Sequence, residues 1–120
     1  MSALCAGRVI AHAVGRNNNV QIHSQDGRLL STLEGHTDRV NAITSIPGAD
    51  LIATASNDKT AKLWNYKTGE CVYTLEGHTN WVRAITSIPG ADMIATASWD
   101  ETAKLWNCKT GECVYTNVAE

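Results

Sequence analysis

The sequence predicts an all-β fold: four-stranded antiparallel meanders, about three to the chain, stacked face to face. Three observations carry that prediction. Residues 33–74 and 75–116 are copies of one 42-residue unit, alike at 35 positions and different at seven. Each copy breaks into four runs of five to seven residues, rich in β-branched side chains and bounded by Gly, Pro and polar turns. No segment sustains the apolar spacing that a helix needs.

The runs follow in order. VNAITSI (40–46) is the first strand and stops at Pro47-Gly48. LIATAS (51–56) follows, then the polar turn NDKT (57–60). AKLWN (61–65) leads into a turn carrying Gly69, and CVYTL (71–75) closes the unit. Apolar and polar residues alternate imperfectly along these strands, as expected for a sheet packed on both faces. Upstream, VIAHAVGRNNNVQIHSQDGRLLST (9–32) has the length of residues 51–74 and matches them loosely, with Ile22 falling on Leu63. SALCAG (2–7) reads as a shortened first strand with a tight turn near Gly7-Arg8. The expected organisation is a divergent unit over 1–32, full units over 33–74 and 75–116, and a polar tail over 117–120.

Composition excludes several classes. Net charge over the 120 residues is −2, which gives no basic surface for nucleic acid. No apolar run approaches the roughly 20 residues that span a bilayer, so no membrane contact is expected. MSALCAGRVIAHA ends in Ala-x-Ala, but it lacks a basic start and Arg8 interrupts its apolar stretch, so it does not read as a secretory signal. Cys108 has Tyr66 as its counterpart in the first copy, so the fold does not require a Cys108–Cys113 bridge. Two thiols without a third ligand nearby do not make a metal site. The expectation is a cytoplasmic or other reducing intracellular compartment, with no metal and no cofactor.

Gly35-His36, Ser56-x-Asp58 and Lys62-Leu63-Trp64 recur as Gly77-His78, Ser98-x-Asp100 and Lys104-Leu105-Trp106. On these residues the chain resembles the WD-repeat family of β-propellers, closely over the two full copies and loosely over 9–32. The closing dipeptide is Trp-Asn (64–65, 106–107) where the family has Trp-Asp. Ser45-Ile46-Pro47 stands where its inner strand carries Phe before Ser-Pro. The resemblance implies that each unit is one propeller blade. It also implies a structural hydrogen-bond network of His36, Ser56, Asp58 and Trp64, repeated by His78, Ser98, Asp100 and Trp106. In that network the Asp accepts from the loop His, and the Ser bridges His to the indole N–H. A buried imidazole and indole do need partners. His, Asp and Ser together also invite a hydrolase reading. Their recurrence in both copies argues for scaffold instead, and no catalytic residue is expected. The N-terminal unit lacks the set: Val14 or Gly15 replaces the Ser and His23 stands where Trp64 does. It is expected to be the least stable blade.

Three blades fall short of the four to eight that typically close a propeller. They leave two broad apolar faces, which are association signals. The Met start and polar tail suggest a self-contained product, and an excerpt of a longer protein would leave the same faces. The expectation is self-association into a closed head-to-tail ring. Two chains giving six blades are favoured, with three chains as the other option.

The seven differences are Asp38/Asn80, Arg39/Trp81, Asn41/Arg83, Leu51/Met93, Asn57/Trp99, Lys59/Glu101 and Tyr66/Cys108. Leu51/Met93 conserves volume, and Tyr66/Cys108 lies in the turn after the third strand. The other five fall in the loop before the first strand and in the turn around the network Asp. Alternate turns of a meander share one edge. Arg39, Asn41, Asn57 and Lys59, with Trp81, Arg83, Trp99 and Glu101, are therefore expected on one rim. The resemblance implies that partners bind there. Trp81 and Trp99 have no counterpart in the other copy, so the scaffold does not require them. Trp and Arg are also enriched at binding hot spots. The competing reading is that they cap the channel or pack against a neighbouring blade. The expected function is a non-catalytic interaction module that binds a protein or peptide on its rim. The alternative, suggested by the near-identity of the copies, is a purely architectural propeller with no ligand.

Overall fold

A computed structural model describes residues 3–6, 9–14 and 18–118. The first sheet holds β1 (Ala3–Ala6), β2 (Val9–Val14), β3 (Asn19–Ser24) and β4 (Leu29–Leu33). The second holds β5 (Val40–Ile46), β6 (Leu51–Ser56), β7 (Ala61–Asn65) and β8 (Cys71–Leu75). The third holds β9 (Val82–Ile88), β10 (Met93–Ser98), β11 (Thr102–Asn107) and β12 (Cys113–Val118). Each sheet is an antiparallel meander in chain order. Strands β5 to β8 cover the four runs read from the sequence, because Pro47-Gly48, the NDKT turn and Gly69 each interrupt the ladder there. Strand β1 lies within the SALCAG segment; the turn proposed at Gly7-Arg8 is outside the described residues. Asn117 and Val118, assigned to the tail, instead extend β12 and pair with Ala103 and Thr102.

Two apolar seams join the sheets. In the first, Val9, Ala11, Ala13, Val20, Ile22 and Leu33 pack against Val40, Ile52 and Trp64. In the second, Ile46, Ala53, Ala55, Ala61, Leu63 and Leu75 pack against Val82, Ile85, Ile94, Trp106 and Cys108. The second sheet thus offers Ala and Leu to one seam and Ile52 and Trp64 to the other. Each seam also carries one tyrosine at its outer end, from opposite sides. Tyr66 of the second sheet packs on the first seam. Tyr73 packs on the second, its hydroxyl donating to the Lys109 carbonyl at 2.6 Å. Their structural counterparts, Cys108 and Ser31, are small. The Tyr66/Cys108 difference is therefore a large-for-small exchange across the seam.

The near-identical copies act as each other's control. IATAS is buried throughout as residues 52–56 in β6. As residues 94–98 in β10, only Ile94 and Thr96 are buried and Ala97 is exposed. Ala61 is 1% exposed and Leu63 0%, whereas Ala103 is exposed and Leu105 half-buried. The sequence is the same; what differs is that the third sheet covers the second, while among the described residues no further sheet packs on the third.

The register of the first sheet explains its divergence. Ile10 pairs with His23 as Ile52 pairs with Trp64. His12 consequently stands at the Thr54 position, and the two imidazoles stack with centroids 5.3 Å apart. A stacked His pair thus stands where the other two sheets place a Thr and a Trp.

Candidate functional site

Two constellations emerge at the top of the sheets, one repeated and one unique. The repeated one begins in the loop before each inner strand. His36 is buried, with Nδ1 2.7 Å from Asp58 Oδ2 and Nε2 2.6 Å from Thr54 Oγ1. The Trp64 indole N–H donates to the same Thr54 oxygen at 2.9 Å. An indole N–H only donates. A hydrogen-bond chain is therefore complete when Thr54 donates to Nε2 and Nδ1–H donates to Asp58. His78, Asp100, Thr96 and Trp106 repeat the chain at 2.8, 2.8 and 2.9 Å.

The bridging hydroxyl is thus Thr54, not Ser56, and Thr96, not Ser98. The serines do different work. Ser56 Oγ donates to the Asp38 carbonyl at 3.1 Å and accepts from the Asp58 N–H at 3.1 Å. Ser98 does the same with Asn80 and Asp100. They tie the loop to the turn. Sequence reasoning passed over the threonines, yet a signal existed. Thr54 lies two residues before Ser56, so it faces the same side of the strand. It is also the one polar residue inside the otherwise apolar IATA.

Burial by itself would raise the Asp58 carboxyl. Hydrogen bonds from His36 and from Thr60, through both its N–H and its hydroxyl, outweigh it and hold the group far below the usual carboxylate range. For Asp100 the same desolvation is outweighed by Thr102, His78 and the Thr79 N–H. The Trp-Asn dipeptide also finds its reason. Asn65 Oδ1 accepts from the N–H groups of Lys67 and Thr68 at 2.9 and 3.2 Å, an Asx-turn that needs only an acceptor oxygen. Asn107 serves Lys109 and Thr110 likewise.

The unique constellation lies on the rim. Backbone bonds join the loop to the turn: Asn57 N–H to the Arg39 carbonyl at 2.8 Å, and Trp99 N–H to the Trp81 carbonyl at 3.0 Å. Positions distant in sequence therefore meet in pairs. Asn41 Nδ2 donates to Asn57 Oδ1 at 2.6 Å. The Trp81 and Trp99 rings stack with centroids 4.7 Å apart and planes 23° off parallel. The Arg83 guanidinium carbon lies 5.0 Å from the Trp99 centroid and 5.8 Å from that of Trp81. Asn41 and Arg83 are each the extra residue of a β-bulge near the start of an inner strand. A bulge re-aims its side chain. Arg83 reaches back to the second sheet, donating to Asn41 Oδ1 at 3.3 Å, while Asn41 Nδ2 also donates to the Val82 carbonyl at 2.9 Å. Arg39, Lys59 and Glu101 are exposed, and the latter two hold φ of 75° and 69° in the turn that the network Asp organises.

Other chemistry is sparse. Cys71, Cys108 and Cys113 are free thiols, and burial raises the Cys108 thiol with a contribution from Asp92. Among the described residues no group of three His, Cys, Asp or Glu could hold a metal ion.

A family model described as WD domain, G-beta repeat matches residues 27–65 and 69–107, well over half of the chain. The chain belongs to the WD-repeat family. Each WD repeat matched here begins before the outer strand of one sheet and ends with the third strand of the next, so the repeat straddles a seam. Eukaryotic translation initiation factor 3 subunit I of Aspergillus niger is 41% identical over 49 residues, 41% of this chain and 14% of that protein. WD repeat-containing protein 89 homolog of Dictyostelium discoideum is 35% identical over 60 residues, 49% of this chain and 17% of that protein. THO complex subunit 6 of Arabidopsis thaliana is 40% identical over 48 residues, 40% of this chain and 13% of that protein. The chain thus spans less than a fifth of the length of these relatives.

Proposed function

We propose that this chain is a non-catalytic interaction module whose rim binds a protein or peptide. One observation carries the reading. Of the positions where the near-identical copies differ, Trp81, Arg83 and Trp99 stack and Asn41 bonds both Arg83 and Asn57, while Arg39, Lys59 and Glu101 are exposed in the same loops and turns. Residues that a scaffold does not need, gathered on one exposed edge and rich in Trp and Arg, have the composition of a hot spot. The repeated His–Thr–Asp chain is read as scaffold. Relatives named as subunits of an initiation factor and of the THO complex support a protein partner and an intracellular, reducing compartment. Affinity capture with the wild type and a Trp81→Ala/Trp99→Ala variant tests this. A partner held by the first and lost from the second is expected; equal retention by both contradicts it.

A second reading concerns assembly, favoured by the bare face of the third sheet. Ala97 and Ala103 are exposed there, while Ala55 and Ala61 are buried in the second. A second copy docking its first sheet on this face would extend the ring, two chains giving six blades. Sedimentation decides: twice the chain mass is expected, and a monodisperse 12.9 kDa species contradicts it.

A further inference from the structure

We propose that the Trp81–Arg83–Trp99 cluster is a carboxylate site, taking an acidic side chain or the free carboxyl terminus of a peptide partner. This deepens the rim reading and rests on it. The argument starts from how Arg83 is held. Its guanidinium lies over both indoles, at 5.0 and 5.8 Å, and one of its nitrogens donates to Asn41 Oδ1. Asn41 is itself fixed by Asn57 and by the Val82 carbonyl. Among the described residues no carboxylate forms an ion pair with Arg83.

A guanidinium has five N–H donors in its plane. Stacking occupies a face and leaves in-plane donors for a planar acceptor. A carboxylate matches that fork with two parallel hydrogen bonds, stronger than neutral ones. Held by two rings and an amide, Arg83 has little freedom left to lose on binding. The reverse ligand, a cation stacking on the tryptophans, would meet a platform that already carries Arg83 and would sit beside a like charge. Trp99 is 57% exposed next to the guanidinium, so the residue beside the carboxylate in the partner is apolar or aromatic.

Four surface-bound libraries of randomised heptapeptides test the proposal. Three are C-terminally amidated with Glu, Gln or Arg fixed at the centre; the fourth has central Gln and a free carboxyl terminus. Retention of the wild-type chain is expected to be roughly tenfold greater on central Glu than on central Gln if a side chain is the source, or on the free terminus than on its amide if the terminus is. Arg83→Gln should bring that ratio close to one. Trp99→Ala should lower retention on all libraries while keeping the ratio. Thermal melts show whether each variant is folded, and the Glu/Gln contrast in the wild type needs no variant. Equal retention on acid and amide, still dependent on Trp99, would overturn the carboxylate site and leave the rim standing. Preference for central Arg would overturn it too. Retention on none of the libraries would overturn it, while the capture experiment decides the rim separately.

Discussion

Thr54 holds two buried donors and acceptors at once, and this sets its worth. Thr54→Val would leave the Trp64 N–H and His36 Nε2 without partners in a buried site. A loss of about 3 kcal/mol is expected, since each buried unpaired group costs roughly 1–3 kcal/mol. Ser56→Ala should cost about 1 kcal/mol, the net worth of ordinary hydrogen bonds to part-buried loop backbone. Urea unfolding of both variants checks the order, and equal losses would mean that the Ser56 tie between loop and turn is worth as much as the Thr54 bridge. The acid side follows from the aspartates. Asp58 and Asp100 bind protons less readily folded than unfolded, where an Asp titrates near 4. The unfolded chain therefore takes up protons first as pH falls. This share of stability is fully present above about pH 5 and is lost progressively below it. Melting temperature against pH should fall through this range, and Asp58→Asn should flatten the curve while lowering its plateau. A parallel curve for the variant would count against the assignment. At this scale the sequence disclosed His36, Asp58 and Trp64, because those residue types recur at fixed spacing. It did not rank Thr54 above Ser56, because both face the same side of the strand and only the folded loop shows which hydroxyl the imidazole meets.

Strand limits were legible wherever a turn residue interrupts the pattern, which is why β5 to β8 lie where the sequence put them. The bulges at Asn41 and Arg83 were not legible, because both strand starts keep an ordinary alternation and only pairing with β6 and β10 reveals the extra residue. The same limit hid the tyrosine exchange, which needs the seam to be seen. It leads to an unequal pair of glycines. Gly69 and Gly111 occupy one position in the two copies, with φ of 81° and 76°. A side chain at Gly69 would meet nothing nearer than 3.7 Å, whereas at Gly111 its Cβ would fall 2.6 Å from Tyr73 Cδ1. Both Ala variants bear the left-handed backbone cost of roughly 1–2 kcal/mol. Gly111→Ala must also displace the Tyr73 ring and its bond to Lys109, so its drop in melting temperature should be at least about twice that of Gly69→Ala. Similar drops would mean that Tyr73 does not pack on that turn.

The described residues form a stack that holds one sheet covered on both faces and a near-identical one covered on a single face. Ala61→Glu places a charge in a sealed seam and should prevent folding. Ala103→Glu places it on the face proposed to receive a second copy and should leave a folded chain of single mass, as circular dichroism and sedimentation would show. Were both equally damaging, the third sheet would not have the bare face described. Stacking itself was legible from the 42-residue period and the weak alternation, but the partner of the outer faces was not, because the residues there are those of any inner seam. The account turns on one claim: a fixed frame carries a rim to which the frame is indifferent. The direct test is the melting temperature of a chain whose second full copy is given the rim of the first, by Asn80→Asp, Trp81→Arg, Arg83→Asn, Trp99→Asn and Glu101→Lys together. A value within about 3 °C of the wild type is expected, as for substitutions at exposed positions. A fall of roughly 10 °C, comparable to that of Thr54→Val, would show that the stacked tryptophans hold the fold and would contradict the account.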